Sequence, residues 1–174
     1  MKKFQWTPIF YIILVGPPGV AAKSTSMSMG MSLLGKVPGV KFGPESMTWQ
    51  KLAKSLSEAT EYVDYSIAGV KQPPIAMSAN TIVASELGMM LNPEDDKLMS
   101  FMIRMWEGQI ETFQHDTISS GMVAVENPWL NVISATTPTW LKQNFPEAMI
   151  GGGLTSRIVF VYGEKKRALI PYPD

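Results

Sequence analysis

The chain has no cysteine and a single histidine in 174 residues. Without cysteine there is no disulfide framework and no thiolate metal site. One histidine also speaks against a histidine-rich metal centre. Net charge is missing as well, because fifteen basic side chains offset fifteen acidic ones. That balance argues against a strongly basic nucleic-acid module and leaves a local basic groove or an oligomer pore for such a partner. No apolar run is long enough to span a membrane, and no internal repeat is evident.

What is present is apolar. Hydrophobic residues make up 45% of the chain, and its length suffices for one domain with a real core. Residues 1–174 read as a single α/β domain, with a core of about 9–163 and a polar tail over 164–174. The thirteen methionines recur mostly at helical spacing, which suits adaptable core filler. Met1-Lys2-Lys3, the apolar stretch to Val15 and Val20-Ala21-Ala22 have the order of a secretory signal. Trp6 and Pro8 interrupt that run, and cleavage would remove a strand that the next loop needs.

Ile9 to Val15 reads as a strand buried on both faces. A helix follows from Ser24 to Leu34, with Met27, Met31 and Leu34 on one face and Gly35 as its stop. Val40 to Phe42 is a short second strand. Thr48 caps a helix with Trp49, Leu52, Ala53 and Leu56 on one face. Tyr62 to Ile67 is ambiguous. Thr81 to Ala84 is the third strand, and Asn92-Pro93 opens a helix with Leu98, Phe101, Met102 and Met105 inward. Glu111 to Asp116 and Met122 to Glu126 form a hairpin around Ser119-Ser120-Gly121. Leu130 to Ala135 is the fourth strand, Pro138 opens a short helix, and Arg157 to Tyr162 is the fifth strand after Gly151-Gly152-Gly153. Alternating strands and helices imply a mainly parallel five-stranded sheet with helices on its faces and an inserted β-hairpin. Ligands on such sheets bind at the carboxyl ends of the strands.

The chemically suggestive residues fall largely at those ends. Gly16-Pro17-Pro18-Gly19-Val20-Ala21-Ala22-Lys23-Ser24-Thr25 has the order of a phosphate-binding loop. Backbone N–H groups wrap the phosphates, Lys23 reaches the outer ones, and Ser24 coordinates magnesium. Against the pattern GxxxxGKS/T, Ala22 replaces the glycine before the lysine. Gly16 lies one residue too far upstream, so either the loop has an extra residue or Pro17 takes the first glycine position. If position 22 needs a positive φ, alanine there costs about 1–2 kcal/mol. The plainer alternative is that Lys23 and Ser24 are the polar first turn of a helix. Glu86 ends the third strand and is placed to orient water, with Ser85 where a metal-side Asp is expected. A hydroxyl there can contact a magnesium-bound water but carries no charge. The competing role is Ser85 as helix cap and Glu86 in the first turn. Thr136 and Thr137 either meet a γ-phosphate or cap the helix at Pro138. Arg157 is either an arginine finger, in its own subunit's site or a neighbour's, or a solvated strand end. His115 fits a surface position better than a phosphate contact, and Trp49, Trp106, Trp129 and Trp140 fit core packing better than base stacking.

Taken in order, these pieces resemble the ATPase domain of phage and prophage primase–helicase-type proteins, P-loop NTPases with RecA/AAA+-like cores and a three-layer αβα sandwich. The resemblance runs from Phe10 to Tyr162. It is carried by the loop above, Gly43-Pro44-Glu45-Ser46-Met47-Thr48, Ala84-Ser85-Glu86-Leu87-Gly88, Asn127-Pro128, Ala135-Thr136-Thr137-Pro138 and Gly153-Leu154-Thr155-Ser156-Arg157. It implies ATP and Mg2+ as cofactors, with Glu86, Thr137 and Arg157 as catalytic residues. It also implies a homo-oligomeric ring such as a hexamer, single-stranded DNA handling in mobile-element replication, and a cytoplasmic setting in a bacterium or phage-infected host. The hairpin resembles one that DNA-tracking helicase rings insert before their sensor strand. Ala22, Ser85 and the lack of a helical lid after Tyr162 depart from the family. They favour the alternative of a degenerate nucleotide-binding or assembly protein without turnover.

Overall fold

A computed structural model describes residues 8–46, 48–108, 112–117, 121–145 and 153–165. Residues 1–7, Ser119-Ser120, Gly151-Gly152 and residues 166–174 lie outside them.

The first strand, β1 (Tyr11–Val15), is followed by α1 (Lys23–Leu34), β2 (Phe42–Gly43), α2 (Trp49–Glu58) and β3 (Thr60–Val63). A two-stranded hairpin, β4 (Ser66–Ile67) and β5 (Val70–Lys71), leads into the long β6 (Ile75–Ala84). Next come α3 (Leu87–Met90), α4 (Asp96–Glu107) and a second hairpin, β7 (Phe113–Thr117) and β8 (Gly121–Val125). The chain closes with β9 (Trp129–Thr136), α5 (Pro138–Asn144), a 3-10 turn (Thr155–Arg157) and β10 (Ile158–Tyr162).

Five strands form a parallel sheet in the order β10-β1-β9-β6-β2, and β3 adds antiparallel to the early half of β6. The architecture is therefore a mixed α/β fold on a mainly parallel sheet, compatible with three layers. In the register, Tyr11 faces Val132 and Ile158, and Val132 in turn faces Ile82. Residues of that parity share one face of the sheet. Tyr11, Ile13, Ile82, Ala84 and Val132 are buried there with Leu52, Ala53 and Leu56 of α2 and Leu98, Phe101, Met102 and Met105 of α4. The Tyr11 hydroxyl donates to the Met102 carbonyl at 2.8 Å, and burial pushes this phenol well above its ordinary pKa. The step from β1 out to β2 runs opposite to the later steps back toward β10. Right-handed crossovers then place α1 on the other face. Only Met27 of α1 is buried, while Leu33 and Leu34 are exposed, so the expected Met27–Met31–Leu34 stripe is thin.

Local chemistry explains most boundaries. The Thr48 hydroxyl accepts from the Lys51 N–H and caps α2. Gly108 stops α4 in the left-handed conformation with φ 59°. The start of α4 is later than the Asn92-Pro93 signal suggests. Asn92 Oδ1 accepts from the Glu94 N–H at 3.1 Å and makes a separate turn, and Asp95 caps the helix by accepting from Leu98 at 2.9 Å. The four large indoles singled out above pack against the core. His115 sits in β7 with its ring edge-on to Trp49, centroids 4.6 Å apart.

Candidate functional site

Four parallel strands end side by side at one edge: β1 at Val15, β9 at Thr136, β6 at Ala84 and β2 at Gly43. The Gly16 N–H donates to the Thr136 carbonyl at 3.3 Å, and the Gly163 N–H donates to Val15 at 2.9 Å. The ladder thus runs through Gly16, and the turn itself spans Pro17 to Ala22. A Cβ on Gly16 would strike the Gly163 carbonyl and the Ala21 methyl, so only glycine lets the two strand ends close. Pro18, Gly19 and Val20 project into solvent.

Two residues of this turn have positive φ, Gly19 at 71° and Ala22 at 49°. Ala22 occupies the position where the phosphate-loop pattern asks for glycine. It adopts the left-handed conformation regardless, and the strain costs about 1–2 kcal/mol. Ala22 also caps α1 without a side-chain hydrogen bond, and no acidic residue lies in the first turn. The first N–H groups of a helix have no intrahelical acceptor, and here they carry the positive end of the helix dipole. Lys23 turns back over the loop and donates through Nζ to the Gly16 carbonyl at 2.6 Å and the Pro17 carbonyl at 3.1 Å. Ser24 and Thr25 are exposed beside it. The arrangement offers an anion a cation and backbone N–H donors at one point.

Across β9, the end of β6 turns into α3. Glu86 is the cap residue of α3, yet its carboxylate makes no cap hydrogen bond and is exposed. Ser85 is not a helix cap. Its N–H and its hydroxyl both donate to Oε1 of Glu45. These bonds hold the Glu45 carboxyl below the ordinary carboxylate range. Glu45 falls within the Gly43–Thr48 segment of the resemblance, which gives it no role, although it lies just beyond β2 as Glu86 lies just beyond β6. The rule that picked Glu86 also reaches Glu45 once β2 is placed beside β6, with Gly43 in register with Ile82.

Thr137 follows β9 and caps α5 by accepting from the Trp140 N–H at 3.2 Å. Its hydroxyl proton is not used by that bond. Thr136 is buried, and its carbonyl carries the Gly16 contact. The fold therefore gathers the Gly16–Thr25 segment, Ser85, Glu86, Thr137 and Glu45 at one edge.

Arg157 is not part of this group. It lies in the 3-10 turn before β10, whose first residue pairs with Tyr11, whereas Tyr162 pairs with Val15. The length of β1, about 13 Å at 3.3 Å per residue, separates it from the loop of its own chain. It donates to the Gly153 carbonyl at 2.7 Å and to Glu107 at 2.9 Å, and it lies over the Trp106 ring at 5.2 Å. A finger role would act only across a subunit boundary, and only after releasing Glu107.

The donors at the edge are hydroxyls and carboxylates, the hard oxygen ligands that suit Mg2+. Among the described residues no three acidic or histidine side chains converge on a metal position. No helix among the described residues is long and apolar enough to cross a membrane. No protein-family model matches the chain, and no curated protein is significantly similar to it.

Proposed function

We propose that this chain binds ATP with Mg2+ at the carboxyl edge of its parallel sheet and hydrolyses it, as the core of a ring-forming replication ATPase of the phage primase–helicase kind acting on single-stranded DNA. The observation that carries the reading is Lys23. Its ammonium is folded onto the carbonyls of Gly16 and Pro17, beside the uncapped start of α1. Incoming phosphates would take that ammonium over from the loop carbonyls and accept from the first N–H groups of α1. Ser24 would give its hydroxyl oxygen to the metal. Mg2+ would supply charge neutralisation to the bound phosphates. Glu86, exposed and free of a cap bond, orients the attacking water. Thr137 keeps a hydroxyl proton to donate to the γ-phosphate.

A second reading is nucleotide binding without turnover. It is favoured by the strained Ala22 and by a neutral serine at position 85. Titration calorimetry with ATP tests the common core of both. Lys23→Ala should abolish binding while circular dichroism stays native. Unchanged affinity would refute the phosphate-loop reading. Detectable wild-type binding without phosphate release would select the second.

A further inference from the structure

Position 85 is where the pattern asks for a carboxylate and this chain has a hydroxyl. The carboxylate comes instead from a different strand. Glu45 lies just beyond β2, which pairs with β6, and a single Glu45 oxygen accepts from both the N–H and the Oγ of Ser85. A serine hydroxyl has one proton. Met89 Sδ, a weak acceptor 3.5 Å from the same Oγ, loses that proton to the charged Glu45, and the remaining lone pairs of Oγ can then only accept. The second Glu45 oxygen has no hydrogen-bond donor among the described residues. Neither Glu45 nor Glu86 meets a lysine or arginine among the described residues. Two carboxylates thus stand at one corner without a cation, facing the Lys23 loop across β9.

We propose that Glu45 and Ser85 act as one unit, the metal-side carboxylate of the nucleotide site: Ser85 Oγ accepts from a metal-bound water, and Glu45 supplies the charge behind it. The inference rests on the nucleotide-binding reading. Glu45 is a positioning residue, since it acts through Ser85. A charged acceptor behind the hydroxyl polarises it and strengthens the bond that it accepts in turn. Ser24, in the first turn of α1, would hold the ion directly, and Ser85 would hold it through one water. Mg2+ commonly keeps several waters, so an outer-shell partner of this kind suits it.

Glu45→Gln tests the charge, because the amide oxygen can still accept from Ser85. ATP affinity is measured by calorimetry with Mg2+ and again with EDTA. In the wild type Mg2+ should tighten binding. In Glu45→Gln and in Ser85→Ala that gain should fall at least fivefold, while affinity in EDTA stays within about twofold. The double variant Glu45→Gln/Ser85→Asp should regain it, since a carboxylate then stands at position 85 itself. A merely structural clamp would lower both affinities together, or neither. If Glu45→Gln and Ser85→Ala keep the full Mg2+ gain, this inference falls and the nucleotide site stands. If the wild type binds ATP in neither buffer, the site reading itself falls and takes this inference with it. Ser85→Ala removes the relay hydroxyl and leaves the Glu45 carboxylate with the Ser85 backbone N–H, so a folding defect in either single variant leaves the other to decide.

Discussion

Ala22→Gly should stabilise the protein. Ala22 has φ 49° and ψ 31°, a conformation that costs a residue with a Cβ about 1–2 kcal/mol and glycine almost nothing. The substitution also loosens the unfolded chain, which costs about 0.4–1 kcal/mol. The difference is a net gain of about 1 kcal/mol, or about 2–4 °C in Tm for a chain of this length. Ala22→Val is the matched opposite. A β-branched side chain tolerates the left-handed region worse than alanine, so this variant should lose about 1 kcal/mol or more. Urea unfolding at equilibrium, with the slope compared across the three proteins, measures both. A destabilised Ala22→Gly with an unchanged slope would refute the left-handed assignment at position 22 and the strained loop built on it. Equal stability of the glycine and valine variants would do the same.

Glu86→Gln should retain ATP binding and lower turnover by at least about tenfold, the loss expected when a positioned base is removed. Phosphate release under saturating ATP checks it, and undiminished turnover would remove Glu86 from the reaction. Arg157→Ala should cost about 1–3 kcal/mol, because it strips a charge-assisted bond from the Gly153 carbonyl and unpairs Glu107. Turnover per folded molecule should not change, and a large drop in turnover at unchanged Tm would instead favour a finger acting across subunits.

The sequence carried the central strands well, because Tyr11–Val15 and Leu130–Ala135 are apolar runs that few other structures accommodate. The first half of β6 was hidden by its own polar residues. Ser78 and Asn80 are buried in the strand, which masks the apolar pattern. Ser78 is met by Thr60 and the Glu126 N–H, and the Asn80 amide donates to Ser55, while Asn80 Oδ1 has no partner among the described residues. No periodicity announces such partners, since they arrive from other elements. The short α3 escaped for a different reason, as four residues are too few to show a period. The left-handed conformation at residue 22 was legible as a condition attached to the motif, whereas the Glu45–Ser85 pair depends on which strand lies next to which. Arg157 shows the limit of reading a residue by its neighbours in sequence. A glycine-rich approach suggested reach to a phosphate in its own subunit or a neighbour's, and strand direction leaves only the neighbour's, since residue 157 stands at the opposite end of the sheet from its own loop.

The pairing of β1 also bears on how the protein is made. Its sheet neighbours are β9 and β10, and Tyr11 lies 121 residues before its partner Val132. Synthesis at about 5–20 residues per second leaves Tyr-Ile-Ile-Leu-Val without a strand to join for roughly 6–24 s. The α2, β3 and β6 segment can meanwhile close on itself through short-range contacts, so the middle of the chain is free to assemble before its beginning. An early apolar segment that waits for a late partner is a natural hold point for chaperones. Any nascent chain released before Trp129 carries the complete Gly16–Thr25 segment but lacks the strands that set its shape.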